Sequence, residues 1–338
     1  MEKSKLKKTI HAIHSVKGGC GKSYFSFALA TNLIPRSEII NQFSSQQKSV
    51  LLIDSDLKGT SLETLFGEVE NNRASIRLEN QNKKYFNELI FSNYINLEED
   101  VSTCIITLND EELNIATPQE RNFDIIFSSS DFEKKKKFLY SKNERSFEKI
   151  SVEQFKYCFE SFMTSIIDWE RGYQDFIFDL SPTSDEYTES MLDVFLDLSN
   201  RKNVEFHHYL VTTEDLAHVD ATVKYIDYIS QLSFRTENHR KITIVINQNY
   251  SQDVFLYLYN DGEDNKEEMR LGIVQKIKEK LRSKGINQEK IDEIDFLYAD
   301  FNEYFFRFTH IFSLDTNLKF GGFILYKYDN ISNKFKIL

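Results

Sequence analysis

The sequence predicts an α/β protein built on a mainly parallel, twisted sheet with helices on both faces. Three observations carry that expectation. Short continuous apolar runs alternate with longer stretches of helical periodicity along most of the chain. The first apolar run passes through a glycine-rich turn directly into a helical pattern. Finally, 29 Phe and 17 Tyr against 3 Pro and 11 Gly in 338 residues give many large side chains to pack and few breakers. Disordered, collagen-like and low-complexity classes are excluded as the main description.

The elements follow in order. Thr9 to Val16 (TIHAIHSV) reads as a buried strand, and a helical pattern runs from Lys22 to about Leu33. Ser49 to Ile53 (SVLLI) is a second strand, ending at Asp54. Further strands are expected at Phe123–Phe127, Asp175–Leu180, Glu205–Thr212, Lys241–Asn247 and Ile294–Tyr298. Helical periodicity fills Val152–Trp169, Leu216–Leu232 and Lys266–Lys284. The stretch of about 67–122 is irregular and rich in Asn, Glu and Lys, with a helix at Tyr85–Tyr94. It reads as an elaboration between the second and third core strands. The tail, about 318–338, reads as an edge hairpin, and the whole of 1–338 is expected to form one domain.

Charge and cysteine usage narrow the class. Fifty-three acidic against 42 basic side chains leave a formal charge of −11, a poor prior for a dedicated nucleic-acid binder. Cys20, Cys104 and Cys158 show neither metal-like spacing nor a disulfide framework, which points to a reducing cytoplasm. No run approaches ~18 apolar residues, so no transmembrane helix is expected. The basic start, Met1 to Lys8, is followed by no apolar signal core. Lys134–Lys137 reads first as a solvated face, with a contact to nucleic acid or an acidic partner as the alternative. His207 and His208 fall on opposite faces of a strand and read as packing and surface, and Cys20 is expected to carry a partly exposed thiol.

Chemistry concentrates in Lys17-Gly18-Gly19-Cys20-Gly21-Lys22-Ser23, between the first strand and its helix. Successive backbone N–H groups at a helix N-terminus cradle phosphate oxygens where Gly permits unusual φ/ψ. In such a loop Lys22 reaches the β- and γ-phosphates of ATP and the Ser23 hydroxyl ligates Mg²⁺. Val16 stands where the ordinary Walker A pattern has Gly, and the extra lysine, Lys17, opens the loop instead. A two-glycine turn with one lysine is often only a surface turn; the strand before it, the helix after it and the GKS triplet distinguish this one.

The form K-G-G-x-G-K-S resembles the deviant Walker A of the ParA/MinD family, within the dimerising P-loop NTPases that include nitrogenase iron protein. By position, the resemblance makes Lys17 the lysine that crosses a dimer interface to the partner's nucleotide. Asp54-Ser55-Asp56 is similar to the family's D-x-D segment, implying that Asp56 orients the attacking water and Asp54 supports the magnesium environment. Phe176-Ile177-Phe178-Asp179-Leu180-Ser181-Pro182 is similar to its Walker B, with Asp179 holding a water on Mg²⁺. Asn247 matches the Asn that reads the adenine edge. The sequence departs at Leu180 and Ser181, where Thr and Pro are usual, and at Leu57, where Pro often follows the second Asp. These changes remove no charged ligand and bear on the switch-loop geometry and the hydrolysis rate.

The resemblance implies a cytoplasmic switch ATPase that forms a nucleotide-sandwich homodimer and acts in plasmid or chromosome partition or in cargo positioning. It also implies a small partner protein that stimulates hydrolysis, and sequence-nonspecific DNA contact through basic patches. With the loop at residue 17, no N-terminal helix-turn-helix domain is expected. Two alternatives stand beside it: a regulatory or phage-defence ATPase acting through a protein partner, and an ATP-dependent ligase of the dethiobiotin-synthetase-like class.

Overall fold

The computed structural model describes residues 7–33, 50–59, 62, 84–91, 101–108, 123–129, 150–169, 173–182, 184–202, 204–231, 240–247, 263–299 and 325–337. The lysine run Lys134–Lys137 and most of the 67–122 elaboration lie outside these residues.

Ten strands form one sheet: β1 (Thr9–His14), β2 (Val50–Ser55), β3 (Ile105–Leu108), β4 (Phe123–Ile126), β5 (Asp175–Leu180), β6 (Glu205–Thr213), β7 (Arg240–Asn247), β8 (Asp295–Ala299), β9 (Leu325–Asp329) and β10 (Lys334–Ile337). Their order is β10-β9-β8-β7-β6-β1-β5-β2-β4-β3. The seven strands from β4 to β8 pair in parallel. Antiparallel strands finish both ends: β3 on one, the β9–β10 hairpin on the other. The central strands are buried on both faces, which accounts for their mainly apolar sequence.

The described helices are α1 (Lys22–Leu33), α2 (Phe86–Phe91), α3 (Val152–Asp168), α4 (Glu186–Lys202), α5 (Leu216–Gln231), α6 (Glu263–Ser283) and α7 (Gln288–Asp292). Alternation along the strands sorts them by face. Ile10, Ala12, Phe176 and Phe178 pack with α3 and α4, whereas Ile13 and Ile177 pack with Phe25 and Phe27 of α1. Further along the first face, Ile244, Ile246 and Phe296 meet α5 and α6. The abundant Phe has a centre here: the Phe159 ring lies 5.5 Å from that of Phe195, 5.8 Å from Phe155, 6.0 Å from Phe178 and 6.4 Å from Phe86. Two cations of α6 tie down the terminal hairpin. The Arg270 guanidinium lies 4.2 Å from the Tyr326 ring and 5.1 Å from that of Tyr298. The Lys278 ammonium lies 4.8 Å from Tyr328 and 5.6 Å from Phe296.

Candidate functional site

Parallel pairing brings the strand ends level and so assembles the site. Asp54 of β2 lies in register with Asp179 of β5, and Asp179 with Ile13 of β1, just before the glycine loop. Thr213 of β6 lies beside Asn247 of β7. All these positions are at the carboxyl ends of the strands, where open α/β sheets place their ligands.

The loop has the backbone its sequence requires. Gly19 has φ +79° and Gly21 φ +80°, values open to Gly and costly for other residues. A Cβ on Gly21 would lie 2.0 Å from Asn247 Nδ2, so the close approach of β7 also demands glycine. Phe25 N–H donates to the Gly21 carbonyl (3.0 Å), the first turn of α1. Lys17, Gly18 and Gly19 are exposed on the rim, while Gly21 and Ser23 are half-buried.

Beneath the loop, Lys22 is buried and its ammonium donates to Asp179 Oδ1. The Ser26 hydroxyl, one turn further along α1, also donates to Asp179 Oδ1 (3.1 Å), and that of Ser55 to the Asp179 carbonyl (2.9 Å). Burial works to lower the Lys22 pKa, but the carboxylates of Asp179, Asp56 and Asp54 overcome it and hold it above the ordinary value. Asp54 is the counterpart: burial, then repulsion from Asp179 and Asp56, pushes it well above the usual carboxylate range. Its Oδ1 accepts the Asp56 N–H (3.1 Å), whereas among the described residues its buried Oδ2 has no hydrogen-bond partner.

Asp56 is also buried. Its Oδ1 accepts three hydrogen bonds: from Gly59 N–H (2.7 Å), the Ser181 hydroxyl (2.8 Å) and Lys58 N–H (3.3 Å). Lys58 pairs in turn with Asp185 Oδ2 (2.7 Å). Asp185 caps α4, its Oδ1 accepting the N–H groups of Thr188 (2.8 Å) and Tyr187 (3.1 Å). Burial raises the Asp185 pKa, but Lys58 and the helix amides outweigh it and bring it below the usual range.

The predicted residues thus converge, with two differences. Cys20 is 2% exposed and packs in the core near Ile13 and Phe25, so the expected partly exposed thiol is corrected; burial pushes its pKa up. Asn247 Nδ2 donates to the Cys20 carbonyl (2.9 Å), which ties the strand end to the loop and leaves the amide oxygen and one N–H for a ligand. Sequence reading missed Ser26, Lys58 and Asp185. Ser26 is signalled by its place one turn after Lys22 and Asp185 by its place just before a helix. As expected, His208 is buried and stacks on His14 (5.5 Å), with His207 half-buried on the other face.

The arrangement suits magnesium. Among the described residues, three carboxylates act on the Lys22 ammonium and Asp54 Oδ2 accepts no hydrogen bond, an arrangement with room in its charge balance for a cation. Among the described residues no three His, Cys, Asp or Glu are grouped to hold a metal directly. Magnesium, which keeps several of its waters, needs no such group.

No protein-family model matches the chain, and neither does any curated protein. Solved structures do. A plasmid partition protein from Borrelia burgdorferi is 18% identical over 82% of this chain and 97% of its own, with a TM-score of 0.43. The septum site-determining protein MinD of Pyrococcus horikoshii, solved with Mg-ADP, is 16% identical over 71% of this chain and 70% of its own (TM-score 0.41). McdA of Cyanothece, solved with ATP, is 14% identical over 82% and 81% (TM-score 0.47).

Proposed function

We propose that the chain is a Mg-ATP-dependent switch ATPase of the ParA/MinD kind, which closes as a homodimer over nucleotide and hydrolyses ATP to ADP and phosphate. One observation carries this reading: two positive-φ glycines at the head of α1, with Lys22 buried beneath them against carboxylates from β2 and β5. The amides of residues 18–23 bind phosphate oxygens, and Lys22 exchanges Asp179 for the β- and γ-phosphates. Ser23, Asp54 and Asp179 would hold magnesium, which would supply positive charge to the phosphate oxygens. Asp56 orients the attacking water, and the Asn247 amide oxygen accepts from the base. Lys17, exposed on the rim, reaches the nucleotide of the second subunit, so the assembly senses the γ-phosphate and relaxes on its loss. The cellular role is partition or cargo positioning, with a small partner protein that stimulates hydrolysis and with nonspecific DNA as a further contact.

Sizing the purified protein with Mg-ATP, Mg-ADP and no nucleotide tests the reading. The mass is expected to double with ATP alone. Lys22→Ala should bind no nucleotide, whereas Asp56→Ala should bind ATP, remain dimeric and lose turnover. Absence of ATP binding in the unaltered chain overturns the proposal. ATP turnover unaffected by Lys17→Ala would favour a ligase instead.

A further inference from the structure

We propose that Ser181 is a positioning residue for Asp56, an inference that rests on the function proposed above. Asp56 Oδ1 accepts from two sides. The N–H groups of Gly59 (2.7 Å) and Lys58 (3.3 Å) come from its own turn, and the Ser181 hydroxyl (2.8 Å) comes from the end of β5. Among the described residues, Oδ2 accepts no hydrogen bond and is left for water. The turn alone would let the carboxylate move with the 54–59 segment; Ser181 fixes it to the strand that carries Asp179. Both side chains are about 3% exposed, so bulk water does not compete for the bond. Gly59 makes the seat possible, since a Cβ there would lie 2.0 Å from Asp56 Oδ2. Proline, usual at position 181 in the family that the motif resembles, has no side-chain donor, so this brace belongs to the present sequence.

The chemical consequence is orientation without added charge. With Oδ1 saturated by three donors, Oδ2 faces one direction, and a water bound to it is aimed rather than merely held. Ser181→Ala removes one donor to a charged acceptor and leaves the phosphate loop untouched. It is expected to lower kcat about tenfold while KM and the affinity for a fluorescent ATP analogue stay within about twofold. Ser181→Thr, which keeps the hydroxyl, should restore kcat to within about threefold. Amide hydrogen exchange over residues 54–59 of the nucleotide-free protein, a readout independent of turnover, should quicken in Ser181→Ala and remain slow in Ser181→Thr.

The outcomes separate the two claims. Unchanged kcat in Ser181→Ala beside an inactive Asp56→Ala overturns the positioning role and leaves the ATPase reading standing. Failure of Ser181→Thr to rescue also overturns it. Normal turnover by Asp56→Ala overturns the ATPase reading itself. Should the unaltered protein prove inert toward ATP, exchange decides: faster exchange in Ser181→Ala upholds the brace, and unchanged exchange removes it.

Discussion

Asp54 is buried beside the Asp179 and Asp56 carboxylates and the Lys22 ammonium, and among the described residues its Oδ2 takes no hydrogen bond. Its folded-state pKa lies above the unfolded one. The stability it contributes is therefore complete below about pH 4 and lost as pH rises through the raised value. Asp54→Asn keeps an oxygen to accept the Asp56 N–H and removes the charge. In the nucleotide-free protein it is expected to be more stable than the parent by about 1–2 kcal/mol at pH 8, with a smaller gain at pH 5. Thermal unfolding at the two pH values checks this, and a variant no more stable than the parent at pH 8 refutes it. Mg-dependent turnover should fall in the same variant, a stability gain at the expense of function.

At the scale of elements, the connection from β5 to α4 is fastened at Asp185, which caps the helix and pairs with Lys58 of the Asp56 turn. Here the sign is reversed. The Asp185 pKa is lowered on folding, so its contribution is present above about pH 4 and fades as pH falls through the folded value. Asp185→Ala should cost about 1–2 kcal/mol at pH 7 in urea unfolding, with the difference shrinking under acid conditions. A constant difference across that range would show that the carboxylate charge contributes nothing. The sequence made the parallel centre legible because β1, β2 and β5 to β8 are short, mainly apolar runs set between longer stretches of helical periodicity. The glycine loop was legible because its backbone needs Gly at 19 and 21. Among the described elements, β3, α4 and the short α7 went unread. β3 is four residues within an Asn- and Lys-rich stretch, and only its antiparallel pairing with β4 makes it a strand. α4 carries four acidic side chains, yet Tyr187, Met191, Val194, Phe195 and Leu198 recur at helical spacing and are buried. The Ser181–Asp56 bond could not be read, because it joins residues 125 positions apart and serine has no preferred partner.

For the whole molecule, the formal charge of −11 opposes the approach of two copies. If ATP drives dimerisation, raising ionic strength should strengthen it, since at ~0.1 M salt the Debye length is only about 10 Å. Sedimentation of the Mg-ATP form at ~20 mM and ~200 mM salt is expected to show more dimer in the second. DNA retention, if present, should change in the opposite sense. The reverse trend in dimer content would place attractive charge pairs at the interface. The hairpin held by Arg270 and Lys278 has a mechanical corollary. Because both cations grip β8 and β9 rings from a single helix, β8, β9 and α6 are fastened to one another through the same four rings. Heat or a protease that loosens this flank should release it as a unit, while the strands bearing the glycine loop keep their pairing.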